Sequence, residues 1–139
     1  MYSKRALRRV GLEAFRPLIE RTDAVFVSLQ YQDAAEEINA TGLPVKLFPW
    51  ATLTDDYDDT AAMVAELDMV VGIHTTVHHV AGAMGVPSLI LVPHNPTWMY
   101  ATGDRLAWYE DQKYHRQRKD EAWSDCIRRV ELDTRVRGL

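Results

Sequence analysis

A single cysteine, Cys126, is all the thiol this chain has, so no internal disulfide braces it, as suits a reducing compartment. Long hydrophobic runs are missing too. The longest, from Ser88 to Pro93, is far short of the ~20 residues that cross a bilayer. The opening Met1-Tyr2-Ser3-Lys4-Arg5 is basic, but Arg8, Arg9 and Glu13 follow where a secretory signal would place its apolar segment. Together these absences predict a cytoplasmic protein. There is no G-x-x-x-x-G-K-[ST] pattern anywhere, which excludes a Walker-type phosphate loop. Positive charge is also short. Lys and Arg number 16 against 20 Asp and Glu, a formal net charge of -4, and that argues against bulk nucleic-acid binding.

What is present suits one globular domain. The chain has 139 residues, 47% of them apolar and 26% charged, enough to bury a core without a structural metal. A single domain over residues 1–139 is therefore expected, with no internal repeat and no low-complexity segment. Charge is unevenly placed. Lys4, Arg5, Arg8 and Arg9 cluster early, and Lys113, His115, Arg116, Arg118 and Lys119 cluster late. These read either as solvated faces or as a surface meeting an anionic membrane at its periphery, a partner domain or a second copy of the chain.

Four apolar runs have strand character: residues 24–29, 45–48, 69–73 and 88–92. Most are nearly continuous in apolar residues, as parallel strands covered on both faces tend to be. Helical patterns separate them. Leu12 to Glu20 leads into the first strand, and Asp33 to Ala40 ends near Gly42, a C-cap candidate. A helix capped by Asp59 or Thr60 runs to Leu67 with Ala61, Val64 and Leu67 inward. Another, capped by Thr75 or Thr76, presents Val77, Val80, Ala81 and Met84 before Gly85 stops it. The last spans Glu121 to Val136 with Trp123, Ile127, Val130 and Leu132 on one side. Such alternation predicts an α/β fold: a three-layer, Rossmann-like domain with an open parallel sheet. The link from Pro93 to Lys113 is long and rich in aromatics, a length at which loops are often functional.

The chemistry concentrates between Val71 and Pro87, Val-Gly-Ile-His-Thr-Thr-Val-His-His-Val-Ala-Gly-Ala-Met-Gly-Val-Pro. A strand ends at Ile73, a polar turn follows, and a helix begins. In open parallel sheets ligands sit beyond the carboxyl ends of the strands, and a helix N-terminus there attracts anions. Thr75 and Thr76 either cap the helix or donate to phosphate oxygens. His74 and His79 add further donors, and Gly82 and Gly85 remove bulk where the helix meets the sheet or a neighbouring loop. The pattern suits a diphosphate as well as an ordinary capped helix.

Other residues carry two readings each. Gln30, just past the first strand, is either a nucleotide or sugar contact or a loop amide bonding nearby backbone. Asp59 and Thr60 either hold a ribose or base, or cap their helix. Trp98 and Trp108 either line a cleft by stacking or pack a long loop. His74 and His78 are four apart, but His74 precedes the helix and His78 and His79 diverge by about 100° once inside it, so no metal site is expected. His78 reads as a surface or interdomain residue. Asp56-Tyr57-Asp58 has a D-x-D form that here simply places negative charge at a helix N-terminus. Cys126 lacks a local His to activate it and reads as core or neutral surface.

Three stretches carry a family resemblance from Arg8 to about Val136. Phe26-Val27-Ser28-Leu29-Gln30, Asp58 to Asp68 with its Asp-Thr-Ala start, and His74 to Gly85 continuing through Leu91-Val92-Pro93 resemble, in order, the second domain of glycosyltransferase modules found in bacterial tetratricopeptide-repeat proteins. Those modules are relatives of the lipopolysaccharide heptosyltransferases. Trp98 and the Trp108-Tyr109 pair also fall where the family has aromatics. One departure is His74, where the heptosyltransferase-like pattern has Asp. His74-Thr75-Thr76 resembles instead the His-Thr-Thr of O-linked N-acetylglucosamine transferases.

The resemblance implies the donor-binding lobe of a two-lobed GT-B glycosyltransferase. Its donor would be a nucleoside-diphosphate sugar, with no further cofactor and no bound metal. His74, Thr75, Thr76, His79, Gln30, Asp59, Thr60 and Trp98 are the candidate nucleotide-sugar contacts, and the acceptor lobe is expected outside this chain. A non-catalytic interaction module and a lobe of a nucleotide-sugar epimerase are the competing readings.

Overall fold

The computed structural model describes residues 9–100, 103–105 and 107–136, with side chains described as far as residue 132. The early basic residues Lys4, Arg5 and Arg8 lie outside the described residues.

Among the described residues, five short strands, all paired in parallel, form two sheets. In the first, β1 (Phe26–Val27) pairs with β2 (Val45–Lys46). In the second, β3 (Val70–Ile73), β4 (Ser88–Val92) and β5 (Gln112–Arg116) lie in that order. Strand β4 is central, and all five of its residues are buried, which explains its uninterrupted apolar run. Partners in register share a face, so Leu89 and Leu91 look one way while Ile90 and Val92 look the other.

Helices cover both faces. On the first, α1 (Arg16–Arg21) and α6 (Trp123–Val136) bring Leu18, Cys126, Ile127 and Val130 against Leu89 and Leu91. On the second, α4 (Tyr57–Ala65) and α5 (Thr76–Ala83) bring Val64 and Ala81 against Val70 and Val86. Beside them Tyr100 and Tyr114 pack on Ile90 and Val92. Phe26 joins the first cluster and Leu29 the second, so the small ladder shares the core of the large one. The architecture is the expected three-layer, Rossmann-like α/β arrangement with open parallel sheets.

The small ladder is shorter than the apolar runs imply. Ala24 and Val25 stay exposed, and β2 is framed by Pro44 and Pro49, which offer no amide to extend it. Pro49 instead starts α3 (Pro49–Thr52), a single turn.

Helix ends follow local chemistry. A 3-10 turn, Leu12–Phe15, precedes α1, which has Pro17 in its first turn. Helix α2 (Ala35–Thr41) ends at Gly42 in the left-handed conformation, φ 64°. Gly85, with φ 74°, stops α5 in the same way.

Several expectations need correction. Asp56, not Asp59 or Thr60, caps α4, accepting from the Asp58 amide at 3.0 Å. In α5 the inward residues are His78 and Ala81, with Val77 and Val80 half-buried, while Met84 is exposed. Leu132 of α6 is also exposed.

Strand β5 was not foreseen. Its sequence, Gln-Lys-Tyr-His-Arg, has no apolar run, yet Gln112, Tyr114 and His115 are buried. The late basic cluster is therefore not one solvated face. Lys113 and Arg116 are half-buried along the strand and His115 is covered, leaving Arg118 and Lys119 exposed just past its end. The long link turns at Trp98–Tyr100, and further on Asp104 and Arg105 lie against β5. Arg105 bridges antiparallel to Lys113, and the Tyr114 amide donates to the Asp104 carbonyl at 2.7 Å.

Candidate functional site

Strand β3 hands the chain to α5 through His74 and Thr75. The His74 amide donates to the Leu91 carbonyl at 3.1 Å, carrying the β3–β4 ladder one residue further. Thr75 is the N-cap residue, in extended conformation (φ -134°, ψ 174°). Its side chain makes no capping hydrogen bond, and Thr75 and Thr76 are both exposed. The His78 amide turns back to the Thr75 carbonyl at 3.2 Å. The amides of Thr76 and Val77 have no acceptor within the helix, as at any helix start.

The two flanking histidines are held by one aromatic residue. The Tyr100 and His74 rings meet in a T-shaped arrangement, with centroids 4.9 Å apart and planes at 63°. The Tyr100 hydroxyl lies 3.0 Å from His79 Nε2. Tyr109 and Trp108 approach the same imidazole at 6.0 and 6.2 Å. Tyr109 comes close because residue 82 is glycine. A Cβ there would stand 2.4 Å from the Tyr109 ring, so the sequence expectation of close loop approach is met at this position.

Arg116, at the end of β5, donates to the Tyr100 carbonyl at 2.5 Å and to the Gly103 carbonyl at 3.4 Å. Tyr114 packs against Tyr100, with ring centroids 5.4 Å apart and planes tilted by 55°. Burial, and secondarily the neighbouring Tyr100, pushes the Tyr114 hydroxyl up to about 12 against the opposing influence of Arg116.

His78 overturns its expectation as a surface residue. It is fully buried, on the sheet side of α5, and a Cβ on Gly72 would lie 3.6 Å from its Nε2. Burial lowers its pKa to about 4, opposed by the Gly72 and Ile73 backbone and helped by the neighbouring His79 and His74.

The remaining candidates are scattered. Gln30 is exposed two residues beyond Ser28, whose amide extends the small ladder to the Lys46 carbonyl at 2.9 Å. Gln30 therefore stands past the carboxyl end of β1. Asp59 is exposed in the first turn of α4. Thr60 points inward, where its hydroxyl donates to the Ala51 carbonyl at 2.5 Å and ties α4 to α3. That bond gives Thr60 a packing role. Trp98 is 78% exposed and Trp108 is 56% exposed, so neither fills the core. Among the described residues, no three His, Cys, Asp or Glu side chains converge as a metal site would require. No described helix is long and apolar enough to cross a membrane.

Sequence reasoning passed over Tyr100 and Arg116 as participants. The only available signal was the aromatic density of the link, since their partners on α5 and β5 are distant in sequence.

The chain is 27% identical over 132 residues to Protein FlbA of Caulobacter vibrioides, an alignment taking in 92% of this chain and 22% of that protein. It thus spans about a fifth of the length of the curated relative it matches. No protein-family model matches the chain, and no solved structure matches it.

Proposed function

We propose that this chain is the donor-binding lobe of a GT-B glycosyltransferase, holding the diphosphate of a nucleotide sugar at the start of α5. The supporting observation is Thr75. A threonine at the N-cap ordinarily turns its hydroxyl onto an amide of its own helix. Here it is exposed and makes no such bond. Its hydroxyl and the Thr76 and Val77 amides remain for an anion, at the positive end of the helix dipole and beyond the carboxyl end of β3. Of the two neighbouring histidines, His79 is half-buried and His74 is buried, so His79 is the one better placed to add a donor. The same donors would stabilise the nucleoside diphosphate as it leaves the sugar. In this reading the acceptor lobe is a partner to this chain, and no further cofactor takes part.

Calorimetric titration of the chain with uridine diphosphate and adenosine diphosphate tests the proposal. One of them is expected to bind, and Thr75→Ala and His79→Ala are each expected to weaken it about tenfold to a hundredfold, the share of one hydrogen bond to a charged group. Absence of binding at millimolar ligand, or indifference to both substitutions, refutes it.

A second reading, a non-catalytic interaction module, is favoured by one observation. Trp50 is 67% exposed, and Leu53 and Tyr57, close to it in sequence, are also exposed, large apolar side chains of the kind that another protein covers. Stable self-association in light scattering, with no nucleotide effect on thermal unfolding, would favour that reading.

A further inference from the structure

We infer that Tyr100 is a positioning residue of the anion site, acting through His79. The inference rests on the donor-site reading given above. Tyr100 is 4% exposed, so a ligand at the helix start does not reach it. Its influence is relayed through the histidine.

The geometry is specific. One buried ring touches both histidines that flank Thr75. It meets His74 in a T-shaped arrangement at 4.9 Å, and its hydroxyl holds His79 Nε2 at 3.0 Å. A phenol both donates and accepts, so this bond survives either imidazole tautomer. Tyr100 is itself fixed through its ring by Tyr114 at 5.4 Å and through its carbonyl by the Arg116 guanidinium at 2.5 Å. A chain of contacts thus runs from the carboxyl end of β5, through the Trp98–Tyr100 turn, to the first turns of α5. His79 is half-buried, and an imidazole on a helix that nothing tethers samples several rotamers. Here the Tyr100 hydroxyl selects one, so that His79 meets the diphosphate already oriented and loses less freedom on binding.

Tyr100→Phe deletes a single oxygen and keeps the ring contacts with His74 and Tyr114, which makes it the informative change. Two measurements are needed. In the ligand-free protein, ¹⁵N-resolved spectra of the imidazole nitrogens should show the His79 signals moving in Tyr100→Phe while those of exposed His94 stay put. In titrations with uridine diphosphate and adenosine diphosphate, Tyr100→Phe should weaken the wild-type affinity about fivefold. The same change made in His79→Ala should have no further effect, because its route is gone.

Unmoved His79 signals, wild-type affinity in Tyr100→Phe, or additive losses in the double variant would each overturn the inference while leaving the donor reading intact. A wild-type chain that binds neither diphosphate overturns the donor reading, and the inference with it.

Discussion

Acidification should destabilise this protein through one side chain, His78. In the folded chain its pKa lies at about 4, chiefly through burial, whereas an unfolded histidine titrates near 6.5. The unfolded state therefore binds a proton that the folded state refuses. For a base whose folded pKa is depressed, stability is complete above about pH 6.5 and falls as the pH drops toward about 4. The gap between those values, at about 1.4 kcal/mol per pH unit, is worth about 3 kcal/mol. Domains of this size are held by roughly 5–15 kcal/mol in total, so the loss is a large fraction. Urea unfolding monitored by tryptophan fluorescence at pH 7.5, 6.0, 5.0 and 4.5 measures it. His78→Gln removes the titrating group and should flatten the curve between pH 6.5 and 4.5 by about 2 kcal/mol relative to wild type. Parallel curves for the two proteins would refute the reasoning and locate the acid sensitivity elsewhere.

Three other outcomes are expected. Gly82→Ala drives a methyl into the Tyr109 ring and should lower stability by about 1–3 kcal/mol; calorimetric melting checks this, and Tyr109→Ala in the same chain should restore much of the loss. Thr75→Ala should leave the unfolding free energy within about 0.5 kcal/mol, because the hydroxyl caps nothing, against the ~1 kcal/mol that a working cap would lose. Cys126 is fully buried and donates to the His115 carbonyl at 3.3 Å, and burial pushes its thiol up to about 11. A maleimide should thus label it only as fast as the chain unfolds, and rapid stoichiometric labelling of the native protein would contradict that.

The parts of this molecule legible in the sequence were those where a local pattern and the tertiary environment agree. Residues 88–92 read as a strand because β4 is covered on both faces, and α2 and α5 ended where glycines supply the left-handed turn. The junction of β3 with α5 was visible as Ile73-His74-Thr75-Thr76 because strand, turn and helix signals follow one another directly. Strand β5 was hidden because its buried positions are filled by Gln112, Tyr114 and His115, whose polar atoms mimic a solvated segment. His78 was misplaced for the same reason: a polar side chain on an inward helix position looks like a surface residue until its neighbours are known. The α4 cap slid from Asp59 to Asp56 because a run of Asp offers several equivalent starts. The Tyr100–His79 bond spans 21 residues, and no local pattern reports a contact of that range.

The antiparallel bridge from Arg105 to Lys113 has a consequence for how this protein behaves at high concentration. The outer rim of β5 would otherwise offer a row of open amides and carbonyls to any extended segment of a neighbouring molecule. With Asp104 and Arg105 lying against it, and Lys113 and Arg116 placed on the strand itself, that rim is a poor template for strand addition. Fibril-like growth is thereby discouraged on this side of the sheet without any loss of its parallel core.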